Sequence, residues 1–325
     1  MNTFRTVINI PQSSFQIDHQ TQLMLIGSCF AENIGERLDQ YKFPIIYNPF
    51  GIIYNPISVK NSLELLIKQN KFTKKDLIQT GGLWSSFSHH SRFSSLNIDN
   101  CLKFINNSII SSSKQLKNTD YLFITFGTSY VYKYKKTDKI VSNCHKIPAK
   151  EFNRYRLSVS DIIKEYDELI NKLRSYNKKI KLVFTVSPIR HWKDGATDNQ
   201  ISKSILLVAI DEIKAKHKNV EYFPAYEIMM DELRDYRFYA EDMLHPSQIA
   251  INFIWERFKE TYIHEKSYGI LKDLDKLKSA ISHKPFNPES EEHKKFQKKQ
   301  LVFIKGLSKK LPKANFEKET GHFTK

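Results

Sequence analysis

Cysteine is scarce in this sequence, with Cys29, Cys101 and Cys144 the three in 325 residues. So few exclude a disulfide framework, and the odd number leaves one thiol unpaired in any scheme. Long apolar runs are lacking too; none approaches the roughly 18–20 residues that a membrane-spanning helix needs. The stretch from Met1 to Gln20 has neither the basic leader nor the apolar segment of a secretory signal. The expected compartment is therefore the reducing cytoplasm. No glycine-rich phosphate loop or dinucleotide fingerprint occurs, which argues against a nucleotide cofactor. No CxxC or HxxxH spacing supports a metal site at Cys144 and His145, and no metal or other cofactor is expected.

What is present suffices for a sizeable core. Apolar residues make up 40% of the chain and aromatic ones 13%, which excludes a wholly disordered polymer. Charge is one-sided: 51 lysines and arginines face 35 acidic residues, for a net +16. Nucleic acid, anionic lipid and phosphorylated substrates all attract such a surface. Yet only 10 of the 51 are arginine, and no aromatic-plus-basic stacking motif accompanies them, which argues against nucleic acid. The excess is dense at the end, where 15 lysines face 8 acidic residues between His264 and Lys325. That segment reads as a solvated helix face.

Short apolar runs alternate with helical periods, the pattern of a mostly parallel sheet covered by helices. Strands are predicted at Leu23–Ile26, Ile45–Tyr47, Tyr121–Phe126, Ile180–Val186 and Val220–Phe223, with a hairpin at Val131–Tyr134 and Lys139–Val141. Helices are predicted over 31–40, 58–69, 199–217 and 247–265, and one capped by Ser160 running to Tyr176. The result is an α/β fold, a three-layer α/β/α sandwich. Residues 1–265 form its body, and 266–325 a lysine-rich helical appendage with a loose end. In such sheets ligands sit beyond the carboxyl ends of the strands. Chemistry is therefore to be sought at 27–31, 48–55, 127–130, 187–195 and 240–246.

Two of these segments carry reactive groups. Gly27-Ser28-Cys29-Phe30-Ala31 lies where a strand turns into a helix, so free N–H groups there can stabilise a thiolate or an oxyanion. A free cysteine is also a common small core residue. In Glu241-Asp242-Met243-Leu244-His245-Pro246-Ser247, an Asp three residues before a His can receive its imidazole N–H. That fixes the tautomer and leaves the other ring nitrogen as a base.

Together with Gly127-Thr128-Ser129 and Ser187-Pro188-Ile189-Arg190-His191, these stretches resemble the GSCFA family, grouped with the SGNH (GDSL-type) hydrolases. The resemblance covers about residues 20–265. It implies a flavodoxin-like sheet and ester hydrolysis or acyl transfer, with an oxyanion hole built from the nucleophile's N–H, a glycine and an asparagine. In this register Cys29 takes the nucleophile slot and Ser28 stands where the superfamily has Asp; a shift of one residue would restore Ser28 as nucleophile. Gly51 fits the second-block glycine. Thr128 and Ser129 stand at the third block, with a hydroxyl in place of the asparagine amide. Asp242 and His245 match the last block.

A serine route loses roughly 3–4 kcal/mol with one oxyanion donor, whereas a thiolate is strongly nucleophilic and passes through a thioester. Arg190 and His191, after a strand, are candidates for holding substrate, as are Trp84, His89 and His90 in an aromatic and basic stretch running to Phe93, and His145 after the hairpin. The expected substrate is an acylated sugar or other hydroxyl compound. The alternative is an inactive sandwich that binds an anionic glycan or polymer.

Overall fold

The structure, a computed structural model, describes residues 6–324. All five expected strands of the main sheet are present and parallel: β1 (Leu23–Gly27), β2 (Ile45–Tyr47), β5 (Tyr121–Phe126), β9 (Lys181–Val186) and β10 (Val220–Tyr222). Their order in space is β2-β1-β5-β9-β10, the flavodoxin-like arrangement, in which the switch point opens beside the first strand.

Strand alternation divides the core into two faces. Met24, Ile26, Leu122, Ile124, Phe126, Leu182 and Phe184 pack under α2 (Pro56–Lys68), α3 (Ile98–Asn118), α4 (Val159–Tyr176) and α5 (Gly195–Lys216). Leu23, Leu25, Tyr121, Phe123 and Val183 pack against α1 (Cys29–Gln40) and α7 (Gln248–Tyr262). Between β10 and α7, α6 (Ala225–Glu227) runs on into a π-turn at Ile228–Glu232. The expected three layers are there.

Two small antiparallel pieces sit outside the main sheet. One is the hairpin of β3 (Ile78–Thr80) and β4 (Leu83–Ser85); the other joins β6 (Tyr130–Tyr134), β7 (Lys139–Val141) and β8 (Phe152–Arg156). β8 was not expected. Its Asn153-Arg154-Tyr155-Arg156 is polar and exposed, so no apolar alternation marks it. Helix α4 is capped two residues before the predicted cap: Ser158 and Asp161 form a reciprocal capping box, and Ser160 lies inside the first turn.

The lysine-rich end is α8 (Tyr268–Ser282), α9 (Glu291–Lys310) and α10 (Glu317–Phe323). Where a loose end was expected, α10 folds back. Phe316 and Phe323 are buried with Leu274, Leu277, Ile304, Leu307 and Leu311, and Glu319 pairs with Lys42 at 2.6 Å. Apolar anchors among the lysines fix the segment, which composition alone hides. Among the described residues no helix is long and apolar enough to cross a membrane.

Candidate active site

β1 ends on Gly27, whose φ of 140° only glycine adopts readily. A Cβ there would drive into the Thr125 carbonyl of the neighbouring strand. This close approach throws the chain directly into α1. Ser28 becomes the N-cap, 1% exposed, with Oγ accepting the Phe30 N–H at 3.3 Å. Cys29 is the first helical residue and partly exposed. The serine thus has a capping role, while Cys29 keeps part of its surface accessible. Burial raises the Cys29 pKa; its own N–H, the Lys203 charge and the Phe30 N–H pull the other way, and Glu32 adds to the rise.

On the loop before α7, Asp242 and His245 meet as expected. Asp242 Oδ2 lies 2.5 Å from His245 Nδ1, while Oδ1 accepts the N–H groups of His245 at 2.9 Å and Leu244 at 3.0 Å. Those two backbone donors, and then the imidazole, hold the carboxyl down at about 2. Among the described residues Nε2 of His245 makes no hydrogen bond, so the acceptor nitrogen is free for a proton.

The other expected donors are engaged locally. Gly51, at φ 77°, gives its N–H to Asn48 O at 2.8 Å and packs on His90, where a Cβ would not fit. Thr128 Oγ1 and Ser129 Oγ both contact Ser202 Oγ, at 3.1 and 3.0 Å, and the Ser129 N–H donates to it at 2.8 Å. Of the N–H groups around the turn, that of Cys29 belongs to the open first turn of α1.

The expected substrate-binding residues separate. His191 lies against the Tyr54 ring, edge on at 5.2 Å, and a Cβ built on Gly127 would be 3.3 Å from its Nε2. Burial first, then the nearby Lys203 charge, lower its pKa to about 4, and His245 contributes in the same direction.

His191 and His90 line a cavity of about 430 Å³ with Tyr54, Tyr130, Tyr132 and Arg154. Arg190 lines a groove of about 250 Å³ with Trp192, Met229, Met230, Met243 and Leu244. The remaining three stand apart from both. His89 is wholly buried among Phe50, Phe72 and Phe93. His145 is buried with Nε2 2.7 Å from Ser86 O. Trp84 pairs with Gln79 in the β3–β4 hairpin.

Sequence reading missed Lys203. It is 0% exposed, and Nζ donates to Gly127 O at 2.8 Å and Ser187 O at 2.7 Å. A signal did exist: Asn199, Ser202, Lys203, Leu206, Ala209, Ile210 and Ile213 follow the buried stripe of α5. A lysine on that stripe calls for a polar partner inside. Among the described residues no group of three or more His, Cys, Asp and Glu side chains is arranged to hold a metal ion.

No curated protein matches. Among solved structures, one from Streptococcus pneumonia described as a platelet activating factor is 12% identical with a TM-score of 0.36, over 73% of this chain and 83% of that one. A carbohydrate esterase family 3 protein from Talaromyces cellulolyticus is 10% identical with a TM-score of 0.34, over 73% and 94%. An acetyl xylan esterase from the rumen bacterium Butyrivibrio proteoclasticus is 9% identical with a TM-score of 0.31, over 64% and 56%. The GSCFA C-terminal domain model matches residues 274–325. The GSCFA family model matches residues 22–258, which span the sheet, the Gly27–Cys29 turn and the Asp242–His245 loop, and the chain belongs to the GSCFA family.

Proposed function

We propose that the chain is an acyl-ester hydrolase or acyltransferase with Cys29 as nucleophile and His245, oriented by Asp242, as its base. The observation that carries this reading is the contrast at one turn. Ser28 is buried with its hydroxyl capping α1, and Cys29 stands partly exposed at the helix N-terminus.

In the proposed reaction His245 Nε2 takes the thiol proton, and sulfur attacks the ester carbonyl carbon. The resulting oxyanion is met by the Cys29 N–H and the positive end of α1. The imidazolium returns its proton to the departing alcohol, and a thioester remains on Cys29. Water, or an acceptor hydroxyl, then gives its proton to His245 and attacks the thioester, releasing acid or new ester and restoring the thiol.

The cavity beside His191 presents Tyr54, Tyr130 and Tyr132 with Asn143 and Arg154, faces and donors suited to a sugar or other polyhydroxyl compound. The Met229, Met230, Met243 and Leu244 groove suits an acyl chain, since methionine adapts to flexible apolar partners. Three free thiols fit work in a reducing cytoplasm. An acyl-ester panel on wild type, Cys29→Ala, Ser28→Ala and His245→Ala tests the reading. Loss of turnover in the first and third variants is expected, and turnover surviving His245→Ala would overturn the mechanism.

One observation favours a second reading, binding of an anionic glycan or polymer without turnover. Gly51 N–H and the Thr128 and Ser129 hydroxyls are engaged within the protein, which thins the oxyanion hole. That reading predicts salt-sensitive ligand binding and no ester cleavage anywhere in the panel.

A further inference from the structure

We propose that Lys203 is a positioning residue that stabilises the negative charge of Cys29 as the proton leaves sulfur. Its role in catalysis rests on the nucleophile assignment above; its electrostatic effect on the sulfur does not.

The carboxyl ends of the strands bring the turn that carries Cys29 close to the carbonyls that hold Lys203. Gly27, Thr125 and Thr185 form one row across β1, β5 and β9. Gly127 and Ser187 lie two residues beyond that row, and the turn out of β1 that carries Cys29 stays beside β5, where the Ser28 N–H donates to Thr125 O at 3.2 Å. Adjacent parallel strands are roughly 4.8 Å apart. Lys203 reaches up from α5 and ties the Gly127 and Ser187 carbonyls together, so its ammonium is held at the carboxyl ends of β5 and β9, beside the β1–α1 turn that carries Cys29.

The lysine has little else to answer its charge. Among the described residues no carboxylate hydrogen-bonds or pairs with it; its contacts are two carbonyls and the Tyr226 ring, 5.5 Å away. A buried ammonium without a counter-charge is costly. Burial accordingly pulls Lys203 down to about 7, Arg190 pushes the same way, and Cys29 opposes them. From the sulfur's side, burial raises the thiol and Lys203 lowers it, while Glu32 on α1 works against the lysine. His191, from the β9–α5 loop, is held neutral partly by the same ammonium. Each of the pair is thus costly to charge alone and eased by the other, so charge on sulfur also keeps Lys203 protonated.

The test is the pH dependence of iodoacetamide alkylation at Cys29, followed by peptide mass spectrometry in wild type, Lys203→Met and Lys203→Arg. Lys203→Met is expected to move the inflection up by about one pH unit or more, about tenfold slower alkylation near pH 8, and Lys203→Arg to keep more of the wild-type rate. Identical profiles in wild type and Lys203→Met would overturn the proposal. Alkylation of Cys101, wholly buried in the native fold, would expose misfolding of a variant. In that event lysine 13Cε NMR of Cys29→Ala decides: the Lys203 titration must move to lower pH, and an unmoved titration overturns the proposal. Alkylation needs no turnover. A Cys29→Ala protein that still cleaves esters would defeat the functional reading while leaving this coupling standing.

Discussion

Asp242 grips His245 twice, through Oδ2 on Nδ1 at 2.5 Å and through Oδ1 on the backbone N–H at 2.9 Å. The second contact sets the loop, and the first sets the tautomer. Asp242→Asn keeps a side chain that can still accept from the backbone but misorients the ring proton. Turnover is expected to fall by about 10²- to 10⁴-fold with little change in melting temperature. Full activity in this variant would show that the imidazole needs no carboxylate.

Ser28→Ala separates capping from chemistry. Removal of an N-cap hydroxyl is expected to cost about 1 kcal/mol in urea unfolding, with Cys29 still alkylated and esters still cleaved. Unchanged stability with abolished turnover would return the nucleophile to the serine.

Tyr130 forms a wall of the cavity beside His191, with the Arg154 guanidinium stacked 3.8 Å from its ring centre. If the alcohol part of the substrate lies there, Tyr130→Ala loses an aromatic contact of about 1 kcal/mol or more. KM is expected to rise roughly five- to tenfold, with kcat little changed. A fall in kcat at constant KM would place this wall at the reacting bond instead.

His89 makes acid stability measurable. Burial first, then the charge of His145, hold it down at about 3, and its Nε2 is buried without a partner. The unfolded chain takes up that proton near pH 6.5. Below that pH the unfolded state binds more protons, so stability is full above about pH 6.5 and drains away as pH falls toward 3. His191, held at about 4, acts in the same direction. The His89 share over that window is roughly 3–5 kcal/mol, and His89→Phe is expected to flatten the acid limb of urea midpoint against pH. An acid limb of unchanged slope would contradict this assignment.

Local signals were legible and tertiary ones were not. The β1–α1 junction at Gly27 and the Asp242–His245 contact could be read because a strand–turn–helix junction and an i, i+3 carboxylate–imidazole pair are defined within a few residues. The five parallel strands announced themselves as compact apolar runs, since both faces are covered. Lys203 was lost because a lysine in an amphipathic helix ordinarily faces water, and its burial depends on carbonyls 76 and 16 residues away in sequence. His89 misled for the converse reason. Beside His90 and Arg92 it looks like part of a polar wall, yet Phe50 and Phe72, brought from other segments, seal it in. Gly51 was correctly placed at a turn, but its N–H partner, Asn48, emerges only from backbone geometry.

The central claim is that an acyl group passes through the sulfur of Cys29. Rapid quenching of the full chain with an activated ester, followed by intact-mass and peptide mapping, tests it directly. The account predicts one acyl adduct, on the peptide carrying Cys29, labile to hydroxylamine as a thioester is, absent from Cys29→Ala and formed much more slowly in His245→Ala. Turnover with the adduct on Ser28, or with no adduct at any time point, would contradict it.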